Sequence, residues 1–301
     1  MSYKNQLTNI SLICPVHNGL KYTKECLKSL HSSLDKSIYR TAVNVILVDD
    51  GSTDGTSKWV NEQYPQVDVL RGDGNLWWSG AVNKGVKHAL EYGAEYVLLI
   101  NNDNVFGEHF VDSMITYAQE NGIQIIGCAI RVLGSNVWWA LGGYFDKSSG
   151  KMGMYKDISE LGSHKRVGRG CYSIDWLNGM GTLIHNSVFK TVGYWDDKNF
   201  PQYFGDCDFI LRAKRNGIDA YVYVDSVIWN DINSTGISYH EHSLSRLFES
   251  LFSKKSFWNI KTTCRFLANH GTVSGFVRGL IYKYGTYVGG YVKHQILRVI
   301  H

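Results

Sequence analysis

The nine residues Val48–Thr56, VDDGSTDGT, decide how this chain is read. They follow the largely apolar run Val43–Leu47, so a buried strand ends in two carboxylates and a Gly/Ser/Thr turn. Open α/β sheets hold nucleotides at such turns, at the carboxyl ends of their strands. Alone, the stretch also fits an Asx-type turn that caps the next helix. Its context favours the first reading, with Ile10–Asn18 (ISLICPVHN) before it and Leu98–Asn104 (LLINNDN) after it.

Outward from this turn, strands and helices alternate through the first 130 residues. Strands are predicted at Ile10–Cys14, Val43–Val48, Val67–Leu70, Tyr96–Ile100 and Ile123–Ile130. Tyr22, Cys26, Leu27, Leu30 and Leu34 recur at helical spacing. Further helices are predicted over Thr56–Gln63, stopped by Pro65, over Ala81–Tyr92, closed by Gly93, and over Phe110–Glu120. This alternation predicts an α/β fold, a mainly parallel sheet with helices on both faces. Residues 131–240 are richer in Gly and aromatics, with a helix at Phe209–Arg215 and a strand at Thr182–His185. From His240 onward the pattern is helical and amphipathic. Segments 1–130, 131–240 and 241–301 are therefore expected, the first two within one compact body.

Composition sets further bounds. Hydrophobic residues make up 44% and charged residues 19% of 301, which suits a globular protein. Six scattered cysteines without a CxxC spacing suit free thiols in a reducing compartment. The N-terminus lacks a signal-peptide core, and no run reaches the roughly 18 apolar residues of a membrane span. A cytoplasmic location is expected. The net charge of +4 is uneven: eight Lys and Arg and no acid follow Glu249, leaving 23 basic against 27 acidic residues before it. That basic, aromatic tail is expected to meet an anionic membrane at the inner face of the cell membrane, or to pack on the body or form an oligomer interface. No nucleic-acid partner is expected.

The ordered motifs resemble the nucleotide-sugar half of a family 2, GT-A-type glycosyltransferase, over roughly residues 8–235. The resemblance implies an inverting transfer from a nucleotide-diphospho-sugar to a glycan or lipid-linked glycan hydroxyl. It places Asp50 on the nucleotide base, with Pro15, His17 and Asn18 in the matching first loop. Gly74–Gly85, GNLWWSGAVNKG, opens a helix whose N-terminus is suited to an anion. Asn75, Trp78 and Asn83 are expected in the donor site, and Arg71 or Lys84 could add charge there. The Trp77–Trp78 pair resembles rhamnosyltransferase-like members, and one indole is expected in the core, the other in the pocket.

Within NNDN, Asn102 and Asp103 are expected at the donor. Asp103 is the expected ligand of Mg²⁺ or Mn²⁺, which oxygen ligands and phosphates would share. The family's usual first acid is here Asn101, so strong metal binding without nucleotide is not expected. GDCDFILR, Gly205–Arg212, resembles the segment that supplies the general base, which implies that role for Asp206. The helix start is expected to keep Asp206 ionised. Asp208 and Arg212, four apart, suit an ion pair. Gly205, where Glu is common, is expected to widen the acceptor side. WLNGMG, Trp176–Gly181, places Gly179 beneath the donor sugar, or is a plain turn. Asp231, His240 and His242 are candidates to complete the metal site. Trp138, Trp139 and Tyr144 suit either a sugar platform or the core.

dTDP-L-rhamnose is the expected donor, with UDP-galactose, UDP-glucose or another hexose donor open. A nucleotidyltransferase would want a Gly-rich basic triphosphate loop, which PVHNG is not. A silent nucleotide-sugar-binding protein would have lost acids that persist here.

Overall fold

The computed structural model describes residues 8–231 and 243–300. The first half runs β1 (Ile10–Val16), α1 (Leu20–Asp35), β2 (Val43–Asp49), α2 (Thr56–Gln63), β3 (Asp68–Arg71), α3 (Trp77–Glu91), β4 (Tyr96–Leu99), β5 (Asn104–Phe106), α4 (Phe110–Glu120) and β6 (Ile125–Val132). It continues with β7 (Trp138–Ala140), β8 (Gly143–Asp146), β9 (Lys151–Met154), β10 (Cys171–Ile174), β11 (Thr182–His185), α5 (Asn186–Val192), α6 (Gly205–Arg215) and β12 (Ala220–Asn230). Three helices close the chain: α7 (Leu244–Phe252), α8 (Ile260–His270) and α9 (Val273–Ile300).

The main sheet has the order β10-β12-β6-β11-β4-β1-β2-β3, with β5 on β12 and β7 on β6. β1 is parallel to β2 and β4, β3 to β2, and β12 to β6. β11 runs antiparallel between β4 and β6. The fold is thus α/β with a mainly parallel sheet. Strand alternation divides the core. Ile13, Ile46 and Val48 pack with Val82, Val86 and Phe209 on one face. Leu12, Cys14 and Leu47 pack with Leu27, Val60 and Met114 on the other. Both faces are covered by helices, which explains why the parallel strands are apolar almost throughout.

Two helix starts differ from the expected ones, and the expected segments share one sheet and core. Residue 130 lies inside β6, and β11 inserts between two first-half strands, so one sheet spans both halves. α3 begins at Trp77 and α6 at Gly205, each one turn earlier than periodicity alone predicts. The C-terminal segment packs on the body, one of the alternatives expected for it: Phe266 and Leu267 of α8, 1% and 3% exposed, belong to the same buried cluster as Val48. Among the described residues, no helix is long and apolar enough to cross a membrane.

Candidate active site

β1, β2 and β4 end side by side, and the chain reverses its order across the sheet at β1, going to β2 and β3 on one side and to β4 on the other. Ligands of open α/β sheets enter at such a switch point. A cavity of about 670 Å³ opens there. Its lining brings together seven of the expected residues: Pro15, His17, Asn18, Asp50, Trp78, Asn102 and Asp103. Trp77, Asn101, Tyr22, Gln202, Tyr203 and Lys255 line it as well.

The first two loops are zipped together. His17 Nδ1 lies 2.6 Å from the Asp50 carbonyl, an acceptor, so Nδ1 carries the proton and donates. His17 Nε2 then accepts from Asn18 Nδ2 at 3.1 Å. The Asn18 amide is oriented by Thr53, whose N–H donates to Asn18 Oδ1 at 2.8 Å. Asp49 is buried in the turn, accepting from Ser52 N at 2.8 Å and from Ser57 Oγ.

Asp50 makes contacts that the sequence did not reveal. Its Oδ1 accepts from Gly74 N at 2.8 Å and its Oδ2 from Trp77 N at 3.0 Å. A Cβ on Gly72 would lie 2.5 Å from Asp50 Oδ1, so only glycine lets that loop approach. The carboxylate therefore occupies the N-terminus of α3, the place expected for a donor anion. Each oxygen keeps a further lone pair for a base.

In the NNDN turn, Asn101 Oδ1 accepts from Trp78 Nε1 at 3.1 Å. Asn104 Oδ1 accepts from Asn101 N at 2.7 Å, and Asn104 Nδ2 donates to Asn230 Oδ1 at 3.0 Å, so the turn is fixed to β12. Asn102 Nδ2 points to Gly19 O and Thr23 Oγ1, at 3.3 and 3.2 Å. Asp103, 9% exposed, is the one acid of this turn on the cavity. No group of three or more His, Cys, Asp or Glu able to hold a metal is found among the described residues. A single acid on the wall suits, at most, a divalent cation whose other oxygen ligands come from a diphosphate.

Asp206 sits just beyond this lining. Its Oδ2 accepts from Gly179 N at 3.1 Å and its Oδ1 from Cys207 N at 2.8 Å. Gly179 in turn abuts Trp78, since a Cβ there would meet the indole at 2.1 Å. Asp206 is thus joined to the cavity through Gly179 and Trp78. Burial pushes its carboxyl up, outweighing the two N–H donors. The helix start is therefore not the dominant influence on this carboxyl. Backbone strain gathers at the same place: Asn18, Trp77 and Phe204, with φ of 49°, 58° and 68°, are the non-glycine residues in the left-handed region among those described. Two line the cavity and the third precedes the Gly205–Asp206 pair.

The C-terminal segment braces this region. Burial alone would raise Asp208, but hydrogen bonding from His270 and the Arg212 charge outweigh it and hold the carboxyl low. The contacts are 2.8 Å from Arg212 Nε to Oδ2 and 2.8 Å between His270 Nε2 and Oδ1. The expected Asp208–Arg212 pair is present; His270 of α8 was not foreseen. Phe257 stacks on Phe204 with centroids 4.9 Å apart. Lys283 donates to the Phe257 carbonyl at 2.8 Å, its ammonium 3.7 Å from the Phe257 ring centroid. Burial pulls Lys283 down to about 7, while the ring faces attract its cation and oppose that shift.

Five expected site residues lie off the cavity lining. Asn83 is buried and its amide is spent on the second half: Nδ2 donates to Trp195 O and Asp197 Oδ2, and Oδ1 accepts from Trp195 N. It fastens α3 and has no hydrogen left for a donor. Arg71 is exposed at the end of β3, and Lys84 donates to its carbonyl rather than to the cavity. Asn75 is exposed, its N–H held by Asp73 Oδ1 at 2.9 Å. Gly179 and Asp206 are placed as described. Both Trp77 and Trp78 line the cavity, and Trp78 also packs against the buried cluster, edge-on to Trp195 with centroids 6.3 Å apart.

Position 205 is closed rather than open. A Cβ there would lie 2.4 Å from Ser79 Oγ and 3.1 Å from the Phe200 carbonyl, so Gly205 serves packing and does not widen a site. Trp138, Trp139, Tyr144 and Asp231 do not line the cavity. The Arg131 guanidinium lies 4.1 Å from the Trp138 ring centroid. His240 and His242 fall outside the described residues. Tyr203 and Gln202, which precede GDCD, were missed, although their nearness to that motif was a usable signal. Lys255 had no motif to mark it.

Residues 11–168 match the model of Glycosyl transferase family 2. The N-acetylglucosaminyl-diphospho-decaprenol L-rhamnosyltransferase of Mycobacterium tuberculosis (strain ATCC 25618 / H37Rv) is 26% identical over 211 residues, 64% of this chain and 68% of that protein. The low-salt glycan biosynthesis hexosyltransferase Agl10 of Haloferax volcanii is 24% identical over 199 residues, 65% of this chain and 60% of that one. In fold, the chain is similar to S. aureus TarS 1-349 in complex with UDP-GlcNAc, with a TM-score of 0.54 and 18% identity over 87% of this chain and 71% of that one. It spans 43% of the longer TarS chain.

Proposed function

This chain belongs to glycosyl transferase family 2 and is a glycosyltransferase that draws on a nucleotide sugar; from that premise we propose that it transfers L-rhamnose from dTDP-L-rhamnose, with inversion, to a hydroxyl of a lipid-linked surface glycan. The observation that carries this reading is the cavity at the ends of β1, β2 and β4, with Asp50 and Asp103 on its wall and Asp206 behind Trp78 and Gly179.

Asp50 would hold the base through its remaining lone pairs. Asp103 would hold Mg²⁺ or Mn²⁺ against the diphosphate, where the cation offsets the charge that develops on the leaving group. Asp206 would accept the proton of the acceptor hydroxyl as its oxygen attacks the anomeric carbon. The new C–O bond forms as the bond to the diphosphate breaks, and that bond's electron pair leaves with the diphosphate. A carboxyl raised by burial is a better match to neutral operating pH than an ordinary one. Asp206 lies off the cavity lining in this arrangement, so an acceptor would have to enter between Trp78 and the 200–206 loop.

The rhamnosyl reading is supported by the name of the mycobacterial relative, which also motivates a diphospho-lipid acceptor. A hexosyl donor such as UDP-glucose or UDP-galactose is the second reading, supported by the name of the Haloferax relative. The acceptor's membrane is suggested by α7. Leu244, Phe248 and Phe252, at i, i+4 and i+8, are 62%, 60% and 68% exposed, and the stretch after them carries eight basic residues and no acid. Such a face suits an anionic bilayer surface. Incubation with dTDP-L-rhamnose and an N-acetylglucosaminyl-diphospho-polyprenol, with NMR of the product's anomeric proton, tests the reading. An inverted rhamnosyl product is expected; a retained configuration or no product would refute it.

A further inference from the structure

We propose that Lys255, delivered by the turn between α7 and α8, is the protein's own cation for the donor diphosphate; this rests on the nucleotide-sugar reading above. Lys255 is the one Lys or Arg on the cavity lining among the described residues, and it shares that lining with Asp50 and Asp103. Two carboxylates on one wall repel a diphosphate. The NNDN turn offers only one acid to a neutralising metal. A cation from elsewhere in the chain would add to that neutralisation: Lys255 lines the cavity, whereas its neighbour Lys254 lies over the Trp77 ring, 5.6 Å from its centroid.

Its backbone is built to be held there. Ser253 Oγ accepts from Lys255 N at 3.1 Å, and Ser256 N donates to the Ser253 carbonyl at 3.2 Å. Asn259, 7% exposed, donates to the carbonyls of Phe252 and Ser253 at 2.9 and 3.1 Å, while its Oδ1 accepts from Thr262 N at 2.9 Å. Phe257, two residues on, stacks on Phe204 beside the Gly205–Asp206 pair. The turn is therefore registered against α6, and its lysine stem is long enough to reach into the cavity while the ammonium stays hydrated until a phosphate arrives. During transfer Lys255 keeps its proton and moves no electrons; it lowers the cost of the electron pair that departs with the diphosphate. It acts on the donor side and has no part in deprotonating the acceptor.

Calorimetric titration of the full chain with dTDP and UDP, and with thymidine and uridine, tests this with Lys255→Ala and Lys255→Arg, each with and without Mg²⁺. Thermal melting checks folding, which an exposed side chain should not disturb. Lys255→Ala is expected to lose about tenfold or more in diphosphate affinity, the scale of one charge-assisted hydrogen bond, and to keep nucleoside affinity. Lys255→Arg is expected to stay within about threefold of the parent. Unchanged diphosphate affinity in Lys255→Ala, or an equal loss for the nucleosides, would overturn the proposal and leave the glycosyltransferase reading standing. A parent protein that binds no nucleoside diphosphate under any of these conditions would overturn both.

Discussion

The backbone N–H of Gly179 donates to Oδ2 of Asp206 at 3.1 Å, tying the loop beneath the cavity to the proposed base. Asp206 is buried enough that its carboxyl is raised, so the folded protein binds a proton there more readily than the unfolded chain does. Its contribution to stability is complete below the unfolded pKa and is lost as pH rises through the folded one. Asp206→Asn should therefore gain stability relative to the parent as pH rises through the folded value, although its amide nitrogen would face one of the two backbone N–H groups, while cutting turnover by about 10²–10⁴-fold. Differential scanning calorimetry beside a donor-turnover assay checks both signs. A variant that is less stable and still active would refute the account of this residue.

Gly179→Ala should damage the site from its floor. The new methyl would lie 2.1 Å from the Trp78 ring, so the indole or the loop must move. Overpacking of this kind costs about 1–3 kcal/mol. The variant should melt earlier and turn over more slowly, with a changed tryptophan emission. Parent-like emission and kinetics would show that the contact is soft.

His270→Ala should loosen the C-terminal segment from α6. It leaves buried Asp208 with Arg212 alone. Losing one partner of a buried charged group costs about 1–3 kcal/mol, readable as a lower urea midpoint. The pH dependence has the opposite sign to that of Asp206. Asp208 is held low, so its stabilisation is present above the unfolded carboxyl value of about 3.9 and is lost as pH falls through the lower folded value. Parent and variant should thus converge in strongly acidic buffer.

Phe248→Ser with Phe252→Ser tests the proposed membrane face. The double variant should co-sediment less with anionic vesicles at low salt and keep its turnover on soluble donor. The basic residues contribute about 1 kcal/mol each near such a surface. The tail's basic residues do not all face outward, however: Lys255 lines the cavity and Lys283 sits among aromatic rings. Parent protein that ignores these vesicles, or that instead pairs with a second copy through this face, would contradict the membrane reading.

What the sequence showed and what it hid divides along the range of the interactions. Strand ends were legible because their cause is local: an apolar run, then carboxylates and turn residues at Asp50 and Asp103. Thr56–Gln63 and Phe110–Glu120 emerged with the predicted bounds, since their stops and periodicity lie within a few residues. Asn83 misled because its motif position is shared with a donor site, whereas its partners, Trp195 and Asp197, are remote in sequence. The capping of α3 by Asp50 and the arrival of Lys255 are also long-range, and no spacing encodes them. Composition changes near residue 130, and one sheet runs across that point through β11 and β12, as long-range strand pairing that no local pattern encodes.

The most direct test is release of nucleoside diphosphate from a panel of donors, namely dTDP-L-rhamnose, UDP-glucose, UDP-galactose and UDP-N-acetylglucosamine, by parent and Asp206→Asn protein with a lipid-diphosphate acceptor. The account predicts acceptor-dependent release that is fastest with dTDP-L-rhamnose and nearly absent in the variant. No acceptor-dependent release from any donor, or equal release by parent and variant, would contradict it.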